Sequence, residues 1–171
     1  MHKFNRMIFF LLPFLCLAGA VFGLYVLINK TNSKLSSYNV SIGGKTFTVE
    51  LADTILTRTR GLSGRENLPD DSGMLFTFPS STRNGFWMKD MKFAIDIVWI
   101  GKSSPSHVLP GKTWEGKVIG VTENIMPEPG KRLWSLKIYY PPEDIDMALE
   151  VNAGAVKKYG LKIGDSVSVQ K

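Results

Sequence analysis

The chain has 171 residues, with 21 Lys/Arg against 15 Asp/Glu, two His and a single Cys. Four of those basic residues fall in positions 1–34, where there is no Asp or Glu, so the remainder holds 17 basic and 15 acidic residues. That near balance, with no long basic block, gives no support to specific nucleic-acid binding. One cysteine excludes a disulfide framework or a cysteine-based zinc cluster.

Residues 1–6 form a basic flank with His2, Lys3 and Arg6, followed by Met7 to Ile28, a run of 22 positions without charge. At about 1.5 Å of rise per residue, a helix of that length spans the roughly 30 Å hydrocarbon core of a bilayer. The run is read as a transmembrane anchor. The competing reading is a cleaved signal peptide, since Ala18-Gly19-Ala20 has the small-x-small form of a cleavage site. Against cleavage, the apolar residues continue to Ile28, beyond the roughly 7–15 expected of a signal peptide. Leu15 before Cys16 does not fit a lipoprotein site. Lys and Arg number two on each side, and the terminal amine tips the orientation toward an inside N-terminus. The expected location is the cell membrane, single-pass, with an extracytoplasmic C-terminal domain; cleavage would make the protein secreted.

Residues 29–37 are a polar linker, and 38–171 are long enough for one domain with a core of its own. Tyr38–Ile42 and Thr46–Leu51 alternate apolar and polar on either side of Gly43-Gly44, which predicts a hairpin. Ala52–Leu62 suits a short helix with Asp53 near its start and Gly61 or Gly64 at its end. Gly73–Phe78 and Phe86–Met88 read as strands flanking a polar turn, and Phe93–Ile100 is the strongest strand signal. A loop is expected at Gly101–Gly111. Strands follow at Lys117–Thr122, Leu133–Tyr140 and Met147–Val151. Asn152 is expected to cap a helix over Ala153–Tyr159 that Gly160 closes. A last strand covers Ser166–Gln170. Eight or nine short strands and two short helices predict a mainly β domain, a small barrel or sandwich.

In Phe93–Ile100 both faces are apolar apart from Asp96. A carboxylate there is at least half buried and needs either a cation or a cluster of backbone N–H groups. Arg60, Arg65 and Lys89 are the candidate cations, and Glu150 sits in a similar setting between Leu149 and Val151. Trp87 and Lys89 share a face of their strand and present an aromatic beside a cation.

Arg60-Gly-Leu-Ser-Gly-Arg65, Leu68-Pro-Asp-Asp-Ser-Gly-Met-Leu-Phe76, Phe86-Trp-Met-Lys-Asp-Met91, Ile95-Asp-Ile97 and Leu149-Glu-Val-Asn-Ala-Gly154 occur in that order. This series resembles the DUF192 (UPF0127) family across nearly all of residues 39–170. Ser63, where many members carry Met, and the loop Ser103–Thr113 depart from the pattern. The resemblance implies a small β-barrel-like domain, commonly exported in prokaryotes, without an assigned activity.

The favoured function is a ligand- or partner-binding module in which Arg65, Trp87, Lys89, Asp96 and Glu150 surround one concavity. Its partner would be an envelope glycan, peptide or protein. One alternative is a hydrolase of an envelope polymer with Asp96 and Glu150 as acid and base; another is a structural subunit of a membrane complex. On the competing structural account, Asp96 and Arg65 form an internal ion pair and Phe76, Phe78, Phe86, Trp87 and Trp99 are core. Met74, Met88 and Met91 are read as packing residues. No metal site or cofactor is expected, because His107 is the lone histidine after residue 34.

Overall fold

The computed structural model describes residues 35–102 and 114–171. The uncharged run at 7–28, most of the linker, His107 and most of the expected loop lie outside those residues. Among the described residues no helix is long and apolar enough to cross a membrane.

Strand β1 (Ser37–Ile42) and strand β2 (Lys45–Ala52) form the expected hairpin. Gly43 and Gly44 take φ of +57° and +82° at its turn, a conformation residues with a Cβ adopt at a cost. Helix α1 (Ile55–Arg60) is shorter than its sequence signal, and Thr54, next to Asp53, caps it. The Thr54 backbone N–H donates to Thr57 Oγ1 (2.9 Å) and the Thr57 N–H to Thr54 Oγ1 (3.1 Å). The crossover through α1 lets strand β3 (Ser72–Thr82) pair parallel with β2, a connection a tight turn cannot make.

β3 runs on through Ser80 and Ser81, which were expected in a turn. The short strand β4 (Phe86–Trp87) pairs with β7 (Ile138–Tyr139) as a separate two-stranded sheet. β5 (Ile95–Lys102), β6 (Trp114–Ile125), β8 (Ile145–Asn152) and β9 (Ser166–Gln170) complete the main sheet. Seven strands close it in the order β1-β2-β3-β8-β5-β6-β9, with Val40 opposite Val169 across the closing pair. The expected strand at Leu133–Tyr140 is only its last part. Leu133–Ser135 is a 3₁₀ turn with Leu133 and Trp134 in solvent, so those apolar residues have no core to face.

Two cores follow from strand alternation. Val40, Phe47, Val49, Leu75, Val98, Ile100, Leu149 and Val169 fill the barrel. Met74, Phe76, Ile97, Trp99 and Ala148 point outward from β3, β5 and β8, and Leu62, Leu68, Met88 and Met91 pack on that outer face. β5 and β8 are therefore buried on both faces, which is why Phe93–Ile100 reads as an almost unbroken apolar run.

Helix α2 (Ala155–Tyr159) packs Ala155 and Val156 into the barrel core. Asn152 does not cap it: its side-chain amide donates to Leu68 O at 2.8 Å. The N-cap is Gly154 at φ +84°, which has no side chain to bond the helix N–H groups. Asp96 supplies the acceptor from elsewhere in the chain.

Candidate functional site

Asp96 is fully buried on β5, opposite Val151 and on the barrel-interior face. Its carboxylate accepts Val156 N–H at 3.0 Å, at the start of α2, and Asn124 N–H at 2.8 Å. A carboxylate at a helix N-terminus completes the unpaired N–H groups there and favours the dipole. Of the two partner types expected for Asp96, the backbone N–H cluster is the one found. None of Arg60, Arg65 and Lys89 pairs with it. The expected internal ion pair between Asp96 and Arg65 is not formed.

Arg65 binds Glu50 instead. Its Nη1 and Nη2 donate to Glu50 Oε1 and Oε2, both at 2.7 Å, a bidentate pairing. Those hydrogen bonds hold the Glu50 carboxyl below its usual range, with burial opposing them. Lys89 lies beyond the end of β4, where strand alternation no longer applies, and pairs with its neighbour Asp90. Trp87 and Lys89 are therefore not presented together on one strand face.

Glu150 is on the opposite face of β8 from the barrel core, level with Met74 on β3 and Ile97 on β5. It is 5% exposed. Burial lifts its carboxyl from the ordinary 4.5 to about 8, and the Arg65 charge partly offsets this through space rather than by a hydrogen bond. Glu150 and Asp96 point to opposite faces of one sheet, so the structure does not bring them together as an acid/base pair on one bond.

Above Glu150 is a cleft of about 470 Å³ between the α1 segment, the outer end of β3 and β4. Its lining includes Ile55, Phe78, Phe86 and Trp87 together with the polar residues Arg60, Ser80, Asn84 and Glu150. Phe86 meets Phe76, Phe78 and Trp99 edge-on at ring-centre distances of 5.0, 6.4 and 5.2 Å, which fixes the wall. Arg58 is committed to the scaffold, donating to Asp53 O (2.6 Å) and Thr77 O (2.7 Å). Arg60 is exposed, with no ion-pair partner among the described residues. Of the five residues expected around one concavity, Trp87 and Glu150 line it, Arg65 borders Glu150, and Lys89 and Asp96 lie elsewhere. Sequence reasoning missed Ile55, Phe78 and Asn84 as lining residues. The one available signal was two adjacent apolar residues, Ile55-Leu56, in a helix too short to bury them.

Phe76 and Trp99 are core as expected, and Trp99 Nε1 donates to Thr122 Oγ1 at 2.9 Å. Phe78 and Phe86 are half-buried, and Trp87 remains 38% exposed. Met74, Met88 and Met91 are buried in the outer core.

The family description DUF192, "Uncharacterized ACR", matches residues 38–169. The chain belongs to the DUF192 family. This DUF192 chain is also similar in fold to two solved structures. One, from Sinorhizobium meliloti 1021, is described as a candidate transcription regulator. It is 28% identical, has a TM-score of 0.64, and the match covers 78% of this chain and 93% of that one. The other is a protein of unknown function from Novosphingobium aromaticivorans DSM 12444. It is 26% identical, has a TM-score of 0.64, and the match covers 80% of this chain and 88% of that one. No curated protein matches the chain.

Proposed function

We propose that this DUF192 barrel is a binding module whose cleft takes a peptide-like ligand: an apolar side chain flanked by amide groups. The observation that carries the reading is Glu150, a buried carboxyl lining an aromatic-walled cleft and lacking a described hydrogen-bond partner. In its protonated form it donates to a ligand carbonyl; ionised, it accepts a ligand N–H. Ile55 supports the apolar part, since it lines the cleft while 77% exposed. The rings of Phe78, Phe86 and Trp87 give an apolar side chain a surface to pack on, while Thr59, Ser80, Thr82 and Asn84 in the same lining offer polar partners for its flanking amides. Closure of the main sheet, which leaves it without a free edge, favours binding in the cleft over strand pairing in a larger assembly.

The test is a titration of the full-length protein with N-acetyl-leucine-N-methylamide, followed by tryptophan emission. Binding is expected to shift the emission, and Phe78→Ala and Glu150→Gln, which keep Trp87 as the reporter, to weaken it, with Lys89→Ala as a neutral control. The absence of any shift with this probe, or a loss equal in all three variants, rejects the cleft as its site.

We further propose that the barrel works outside the cytoplasm, held at the cell membrane by residues 7–28. Support comes from the length of that uncharged run and from the absence of cysteine after residue 16. Lys171→Cys in a Cys16→Ser background should react with an impermeant maleimide on intact cells. Labelling only after lysis contradicts the location.

A further inference from the structure

Outside the cleft, the segment between β6 and β7 is a loop closed at its neck by one carboxylate. Glu128 pairs with Lys131 and accepts the Lys137 backbone N–H at 2.9 Å. Within the loop, Ser135 donates through both its N–H (2.9 Å) and its hydroxyl (2.8 Å) to Arg132 O. Leu136 turns inward and is buried, while its neighbours Leu133 and Trp134 are 54% and 79% exposed. The Arg132 guanidinium lies 5.3 Å from the Trp134 ring centre. This backbone is internally bonded, so the two apolar residues are held in water by construction rather than by a loose chain end.

Charge distinguishes the occupants that would cover such a tip. From Met126 to Tyr140 the basic residues are Lys131, Arg132 and Lys137, and Glu128 is the single acid, already engaged at the neck. Tyr140 and Met126, at the two ends of the segment, are exposed as well. A projecting indole and leucyl group flanked by cations fits an interface with an apolar interior and an anionic surface. Tryptophan rests at the headgroup level of a bilayer, and Lys and Arg are drawn to anionic lipid. An acidic protein surface would satisfy the cations but would leave Leu133 and Trp134 in search of a pocket.

We infer that the Leu133–Trp134 tip, with Arg132 and its flanking lysines, is a contact site for the headgroup region of an anionic bilayer. The site is separate from the cleft and does not depend on whether residues 7–28 stay attached. Its test uses the full-length chain with vesicles of phosphatidylcholine containing phosphatidylglycerol whose acyl chains are brominated near the headgroup. Bromine quenches a tryptophan only at contact, and Trp87, Trp99 and Trp114 serve as internal references. Wild-type emission is expected to be quenched, Trp134→Phe to lose most of that quenching, and Arg132→Gln to lose part of it. Trp134 is a surface residue, so its replacement leaves the fold intact, which the circular dichroism spectrum checks. Undiminished quenching in Trp134→Phe overturns the inference. So does an absence of quenching in the wild type, the result expected if a protein covers the tip, or equal quenching when brominated phosphatidylcholine is the sole lipid.

Discussion

The Arg65 guanidinium grips the Glu50 carboxylate through two hydrogen bonds of 2.7 Å, and the same positive charge reaches the buried carboxyl of Glu150. Glu50 and Glu150 are each in register with Met74, one on either side of β3. One arginine thus serves two acids separated by a single strand, bonded to one and acting at a distance on the other. Arg65→Met is expected to raise the Glu150 pKa above its present value of about 8, because the Arg65 charge that lowers it is gone. Carboxyl-carbon NMR titration, assigned with Glu150→Gln, reads the shift. Loss of the pair itself should cost only about 1 kcal/mol, since both side chains are roughly a third exposed and screened.

Glu150 also sets a pH dependence of stability. Its folded-state pKa lies above the ordinary 4.5, so between that value and about 8 the folded chain holds a proton that the unfolded chain has released. Stability is therefore fully present below pH 4.5 as far as this group is concerned, and falls as pH rises toward 8. The slope approaches ~1.4 kcal/mol per pH unit at most. Urea unfolding at a series of pH values should show that decline in the wild type and a flatter profile in Glu150→Gln.

Removing the Asp96 carboxylate should damage the scaffold. Asp96→Ala leaves the buried N–H of Val156 and that of Asn124 without their acceptor, at a cost of about 3 kcal/mol. Asp96→Asn keeps one carbonyl oxygen and should lose roughly half as much. Denaturant midpoints measure both, and at low denaturant the Asn variant should still bind the blocked leucine amide. A variant that is fully stable yet deaf to the ligand would place Asp96 in the site instead.

Gly85 controls the aromatic wall. A Cβ there would lie 2.2 Å from Ile138 Cγ2 and 2.9 Å from Tyr140 Cε1, so the β4–β7 pair must separate to admit it. Gly85→Ala should destabilise the protein by about 1–3 kcal/mol through overpacking. It should also move the Trp87 emission maximum without ligand. Near-ultraviolet circular dichroism and fluorescence report the displacement.

Local sequence carried much of the scaffold. The Gly-Gly hairpin, the both-faces-buried strand around Asp96, Gly160 after α2 and the mainly β class all follow from side-chain periodicity and from backbone angles open to few residue types. The need of Asp96 for a charge or a set of N–H groups followed from the cost of burying a carboxylate. Which of the two it found did not, because Val156 is 60 positions away and only chain closure puts its N–H there.

The residue strings of the family were legible as well, but not their contacts. Charge alone pairs Arg65 with Asp96, whereas Glu50, on a strand outside those strings, holds it. Leu133–Tyr140 reads as a strand only if its apolar residues face a core, and no core reaches Leu133 or Trp134. Alternation says which side chains share a face; it is silent on what lies opposite. The sequence by itself determined the barrel's strands and the acids that cannot stand unaided. Only the tertiary structure decided that Asp96 caps a helix while Glu150 faces a cleft, since those neighbours are assembled from distant segments by the parallel β2–β3 crossover and the closing of the sheet.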